Sequence, residues 1–173
     1  MSDFDWSRFK RSIFIQADPA RVFQAWTTPE QVATWFLEEA RYTAPDGTER
    51  RPDETIQEGD SYTWKWWNYP HTEQGTITRL DRDKRHMEFT FASDKCTCTV
   101  DVEVREGDTL LRLEQSGMPT DDETKKNLHL GCSNGWSFWM VNLKSWLEND
   151  QLLHDRQSRH KTEEFEFCEL INR

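Results

Sequence analysis

The stretch Cys132-Ser-Asn-Gly-Trp136-Ser-Phe-Trp139-Met-Val-Asn-Leu143-Lys-Ser-Trp-Leu147-Glu148 is the densest apolar segment of the chain. Cys132, Trp136, Trp139, Met140, Leu143, Trp146 and Leu147 recur at steps of three and four. That spacing lays them along one broad stripe of an α-helix. Burying one indole removes roughly 200 Å² from water, worth at most about 5 kcal/mol. A helix carrying three tryptophans on one face needs a cover, and the rest of the chain has to supply it.

Working back from the helix, alternation supplies a sheet. Cys96, Cys98, Val100, Val102 and Val104 fall on one face of a strand over 95–105, with Thr97, Thr99, Asp101 and Glu103 on the other. The turn Glu106-Gly107-Asp108 leads into a strand over 109–116, with Leu111, Leu113 and Gln115 sharing a face. Met87, Phe89 and Phe91 face inward from 86–91, and Tyr62, Trp64 and Trp66 from 61–67. A further strand is expected over 75–80. Short connections between these runs predict an antiparallel meander with one wet face. Residues 8–16 read as a first strand and 38–43 as a short one. Pro45 to Gly59 is polar and reads as a long hairpin connection or a mobile loop.

Asp18-Pro19 and Thr28-Pro29 mark the starts of two short helices, carrying Val22, Phe23 and Trp26, then Val32, Trp35 and Phe36. Thr120-Asp-Asp-Glu123 has the pattern of a capping box for a helix over 121–149, about 43 Å long at 1.5 Å per residue, with Gly131 and Gly135 as weak points. The expected fold class is therefore α+β: a curved antiparallel sheet, order β-α-α-β-α with five or six strands in the central run, gripping a long C-terminal helix. One domain is expected over 1–156. For 157–173 the choice between an edge strand and a docked tail stays open.

Composition narrows the function classes. The 173 residues carry nine Trp and 13% aromatics, against 35% hydrophobic content. Such a chain is long enough for one sizeable core and too aromatic to be disordered. A formal net charge of -10 disfavours nucleic acid and anionic lipid. No apolar run approaches the roughly 20 residues of a membrane span, and Met-Ser-Asp-Phe-Asp-Trp lacks the marks of a signal peptide. A cytoplasmic location with reduced thiols follows as the expectation.

Three segments resemble one family. Ile13-Phe-Ile-Gln-Ala-Asp-Pro19 through Val22, Ala25-Trp26, Pro29 and Trp35-Phe36 is similar to the first strand and helix signature of the helix-grip proteins (START-like, or Bet v 1-like). The branch it resembles is the C-terminal domain of the activator of Hsp90 ATPase. Glu58-Gly59-Asp60-Ser-Tyr is similar to that branch's next strand. Gly135, Trp136, Asn142, Leu143, Lys144, Leu147 and Glu148 match its helix. The resemblance covers about residues 8–156. Many relatives carry Gly after the Leu-Glu pair, where this chain has Asn149-Asp150. The resemblance implies the helix-grip fold and, as one alternative, an interaction role on a chaperone.

Chemistry is sparse. Cys96-x-Cys98 reads as two small buried hydrophobes in a strand, because no second ligand pair accompanies it. The five histidines are scattered, and no nucleophile elbow or phosphate-binding glycine loop is present. No catalytic residue, metal or cofactor is expected. The reading of the interior rests on aromatic convergence: Trp64, Trp66, Phe89, Phe91, Leu113, Cys132, Trp136, Trp139 and Met140 as walls, with Gln115 as the polar group that would orient a ligand. A solid aromatic core is the competing reading. The function expected first is non-enzymatic binding of a small apolar or amphipathic molecule. A chaperone-interaction module and a cavity enzyme of the cyclase or hydrolase type are the alternatives.

Overall fold

The computed structural model describes residues 4–157. Seven strands form one antiparallel sheet in the order β1-β7-β6-β5-β4-β3-β2. They are β1 (Phe9–Ile15), β2 (Glu39–Thr43), β3 (Ser61–Lys65), β4 (Thr72–Asp81), β5 (His86–Thr90), β6 (Thr97–Arg105) and β7 (Asp108–Ser116). Helices α1 (Pro19–Thr27) and α2 (Pro29–Trp35) follow β1. Asp18 caps α1 by accepting from the Ala20 amide at 2.8 Å. Thr28, held extended ahead of Pro29, separates the two helices.

After β7 the chain enters one helical turn, α3 (Asp122–Thr124). A π-helical stretch, Lys125–Leu130, follows, and then α4 (Gly131–Asn149). The expected long helix is thus present, but its cap is Asp121 rather than Thr120: Asp121 Oδ1 accepts from the Thr124 amide at 3.0 Å. Only Lys125–Leu130, six residues near its start, is wound more loosely, and Gly131 marks the change of winding. At the far end Asp150 adopts the left-handed conformation (φ 54°, ψ 31°) that ends many helices. Asp tolerates that region better than most side chains, so the helix ends here without a glycine.

The helix is fastened along its length by the residues that match the family motif. Lys144 Nζ donates to the Phe14 carbonyl at 2.9 Å, and Glu148 Oε1 accepts from the Gln16 amide at 2.6 Å. Both tie α4 to β1, and Arg11 adds a bond from its Nε to Ser137 Oγ at 2.9 Å. Asn142, fully buried, donates from Nδ2 to the Trp35 carbonyl at the end of α2. Its Oδ1 accepts from the Leu153 amide at 2.6 Å, which folds the segment after α4 back over the helix.

Two expectations change. The connection 45–59 is the long hairpin connection between β2 and β3, and it is pinned rather than mobile. Ile56 is buried and donates from its amide to the Thr27 carbonyl, and the Glu30 amide donates to Pro52. Arg50 grips the buried Asp60 carboxylate with two bonds of 2.9 Å and reaches Glu54 at 2.8 Å. Val104, expected on the apolar face of β6, is 57% exposed. It sits next to the hairpin at Glu106-Gly107, where both residues take positive φ. The edge strand or docked tail expected from 157 onward falls outside the described residues, apart from Gln157.

Candidate functional site

The sheet's inner face is set by register. Cys98 pairs with both Phe89 and Gln115, and Gln115 in turn with Phe9, so one row of side chains crosses the sheet toward α4. A second row runs Ala40, Trp64, Glu73 through β2, β3 and β4. Trp136 of α4 faces these rows. Its ring lies 5.1 Å from Phe91, 5.2 Å from Phe36, 5.8 Å from Trp26 and 6.4 Å from Phe89, centroid to centroid. Trp64 meets Phe89 at 5.4 Å and Phe91 at 6.2 Å, and Trp66 meets Phe91 at 6.3 Å. The aromatic convergence expected for Trp64, Trp66, Phe89, Phe91 and Trp136 is therefore present. Trp64 with Phe89, Trp66 with Phe91 and Phe89 with Trp136 meet edge to face, a preferred arrangement for aromatic pairs, and the other pairs are tilted.

Gln115 lies at the polar centre of this assembly. Its side chain has no solvent exposure, and its Oε1 accepts from Trp136 Nε1 at 3.0 Å. Its Nε2 has no hydrogen-bond partner among the described residues. The nearby Cys132 sulfur is a weak acceptor. Burial pushes the Cys132 thiol up to about 12, against an opposing pull from Gln115. Burial likewise holds the Cys98 thiol well above its ordinary value, so neither is poised as a nucleophile. Trp26, whose ring lies 5.8 Å from that of Trp136, carries in Nε1 a second buried donor without a partner among the described residues.

The remaining expected residues divide. Leu113 is fully buried one row along from Gln115, paired with Val100 and Arg11. Met140 is in the core. Trp139 does not join the rings around Gln115: it packs between Phe36, Phe138 and His154, under the segment that follows α4. That segment is held by Asn142, by Asn68 Nδ2 donating to the Asp155 carbonyl at 3.0 Å, and by Arg156 over the Trp67 ring at 5.3 Å.

Tyr62, expected to face inward with Trp64, also takes part, and Gly75, Glu73 and His154 join it without having been anticipated. Tyr62 stacks on Trp64 at 4.1 Å and donates its hydroxyl to the Thr90 carbonyl. Gly75 lies under that phenol, with no room for a Cβ. Glu73 is half-buried on the same face, and its Oε1 accepts from the Ala92 amide at 2.7 Å. Burial raises its pKa, and the Ala92 bond only partly offsets this. β4 begins at Thr72, three residues before the expected strand; alternation carried back from Ile77 through Gly75 reaches Glu73, and that was the available signal. His154 is also buried, and burial, with Arg156 beside it, lowers its pKa to about 4.

Among the described residues no group of three or more His, Cys, Asp or Glu could hold a metal ion, and no helix is long and apolar enough to cross a membrane. An open groove of about 470 Å³ lies away from the interior, lined by Arg21, Gln24, Glu30, Gln31, Thr34 and Trp146.

A seven-stranded antiparallel sheet closed over one long helix defines a helix-grip protein of the Bet v 1-like class. Within that class the chain belongs to the family of activator of Hsp90 ATPase homolog 1-like proteins, whose sequence profile matches residues 16–148. Solved structures agree on the fold. A Staphylococcus saprophyticus protein superposes with a TM-score of 0.64 at 17% identity, covering 84% of this chain and 95% of its own. The Aha1 dimer from Colwellia psychrerythraea gives 0.62 at 18% identity, with 83% and 98% covered. CalU16 from Micromonospora echinospora gives 0.60 at 16% identity, with 83% and 76% covered. No protein of curated function matches the sequence.

Proposed function

We propose that the chain binds a small amphipathic molecule between sheet and α4, with no chemical step. One observation carries this reading: the amide of Gln115, fully buried, spends its oxygen on Trp136 and leaves both Nε2 protons without an oxygen or nitrogen partner among the described residues. A buried donor left unmade costs about 1–3 kcal/mol, so a core under selection for stability alone would favour Leu here. A ligand oxygen beside Gln115 would satisfy its Nε2, with the rings of Trp64, Phe89 and Phe91 moving apart to take the apolar body. The test is tryptophan fluorescence with a panel of aromatic and aliphatic alcohols, ketones and acids, on the wild type and on Gln115→Leu. Saturable shifts in the wild type, weakened in the variant for ligands with an acceptor, are expected. A flat response to the whole panel refutes the reading.

The family membership supports a second reading, an interaction with an Hsp90-type chaperone. Stimulation of the cognate ATPase by this chain would favour it; no effect at tens of micromolar counts against it.

A further inference from the structure

The groove outside the interior is built by three helices. Arg21 and Gln24 come from α1, Glu30, Gln31 and Thr34 from α2, and Trp146 from α4. Trp146 packs on the core with part of its indole left exposed. The side chains of Arg21, Gln24, Glu30 and Gln31 make no hydrogen bond or ion pair with any described residue. An indole bordered by two idle amides and by one charge of each sign suits an extended peptide. The amides offer both donors and acceptors to a backbone, and the indole takes a ring.

The chain itself leads to this groove. Arg156 donates from Nη2 to the carbonyl of Thr34, so the described residues end beside a groove-lining residue. Sixteen residues follow, 158–173, and their middle reads Glu163-Glu-Phe165-Glu-Phe167-Cys168. In an extended chain Phe165 and Phe167 fall on one side, and Glu164 and Glu166 on the other. Arg159 and Lys161 precede them, so the segment carries both signs of charge, as the groove does at Arg21 and Glu30. Phe165 is eight residues beyond Gln157, a reach of up to about 26 Å. The seven residues of α2 span only about 10 Å. A short tether holds its own segment near the groove at a millimolar effective concentration, which a second copy at micromolar protein does not match. We infer that residues 163–167 of this chain lie extended in the groove, with the rings of Phe165 and Phe167 toward Trp146 and the carboxylates of Glu164 and Glu166 toward Arg21.

Cys168 provides the reporter. Gln31→Cys, in the full-length chain, places a thiol in the groove, and mild oxidation at 1–10 µM protein is followed by mass spectrometry of the disulfide-linked peptides. A disulfide to Cys168 within one chain should form at least about tenfold faster than in the same variant carrying Phe165→Ser and Phe167→Ser, where the tether is unchanged and docking is lost. Arg21→Glu should slow it about threefold, and Glu164→Arg with Glu166→Arg in that background should restore it. Equal rates with and without the two phenylalanines overturn the docking, and an unchanged rate in Arg21→Glu overturns the placement of the carboxylates. Disulfides that join two chains and accelerate with concentration overturn it as well, since the occupant is then a second copy. Hydrogen exchange on the wild type needs no variant: the amides of 163–167 should exchange at least about tenfold slower than an unstructured peptide, and exchange at the unstructured rate refutes the docking.

Discussion

Replacing Asn142 by alanine should separate two parts of the molecule that α4 holds together. The amide is fully buried. It donates to the Trp35 carbonyl, its Nδ2 lies 3.1 Å from His154 Nδ1, and it accepts from the Leu153 amide at 2.6 Å. Not all three losses weigh equally. Leu153 is 40% exposed, so water can serve its amide once the side chain is gone. His154 retains Arg156 Nε at 2.8 Å from its other nitrogen. The Trp35 carbonyl sits in the core, and an unsatisfied buried acceptor costs about 1–3 kcal/mol. Adding a fraction of that for the other two groups gives a loss of about 3 kcal/mol. A domain of this size tolerates that, since stabilities run at about 5–15 kcal/mol. Urea titration followed by tryptophan fluorescence measures the global loss. Limited trypsin digestion reads the local one, because Arg156 is held against Thr34 and Trp67 only while the segment after α4 is folded back. Cleavage after Arg156 should accelerate in Asn142→Ala under native conditions. A stability loss below about 1 kcal/mol, with unchanged cleavage at Arg156, would refute the role assigned to this amide.

Two further perturbations test the packing and the titration. Gly75→Ala places a Cβ 2.5 Å from Tyr62 Oη and 2.7 Å from the Thr90 carbonyl; because one obstacle is backbone, we expect a loss of about 2–3 kcal/mol, only partly relieved by adding Tyr62→Phe, and an unchanged melting temperature would sink the argument. His154 is stabilised neutral, since Asn142 Nδ2 and Arg156 Nε point at its two ring nitrogens, of which a neutral imidazole can accept at one and an imidazolium at neither. Its pKa is depressed to about 4, so its contribution is whole above about pH 6.5 and is lost as pH falls toward 4, by about 2 kcal/mol once solvent screening of the ring discounts the full shift of about 3 kcal/mol. His86 opposes this: burial pulls its pKa down, but the bonds to Asp101 and Glu88 outweigh burial and raise it, so its contribution is present below about pH 6.5 and fades as pH rises through the raised value. Urea midpoints for the wild type and for His154→Gln between pH 7 and pH 4.5 decide the matter. Parallel curves would show that His154 does not couple to folding.

The elements and the fold were legible because they rest on period and on local capping. The stripe through Trp136, Met140, Leu143 and Leu147, the alternation of β6 and β7, and the proline-marked starts of α1 and α2 all depend on near neighbours in sequence. So does the inward direction of Gln115. The family motif was legible as a pattern, but its reason was not. Asn142, Lys144 and Glu148 reach partners more than a hundred residues away, in α2 and β1, and such pairings exist only once sheet and helix have met.

The apolar helix at Cys132–Glu148 and the need for a sheet to cover it were thus determined by the sequence alone, since burial of large side chains depends only on which residues share a face. Tertiary structure decided which polar groups the covered space leaves unpaired. That Trp139 packs against His154, that Gln115 Nε2 meets no oxygen or nitrogen among the described residues, and that Glu73 accepts from the Ala92 amide are consequences of register between strands and of the distance between sheet and helix. Hydrogen bonds and charges act over a few ångströms in three dimensions, and no spacing along the chain encodes which ones remain unmet.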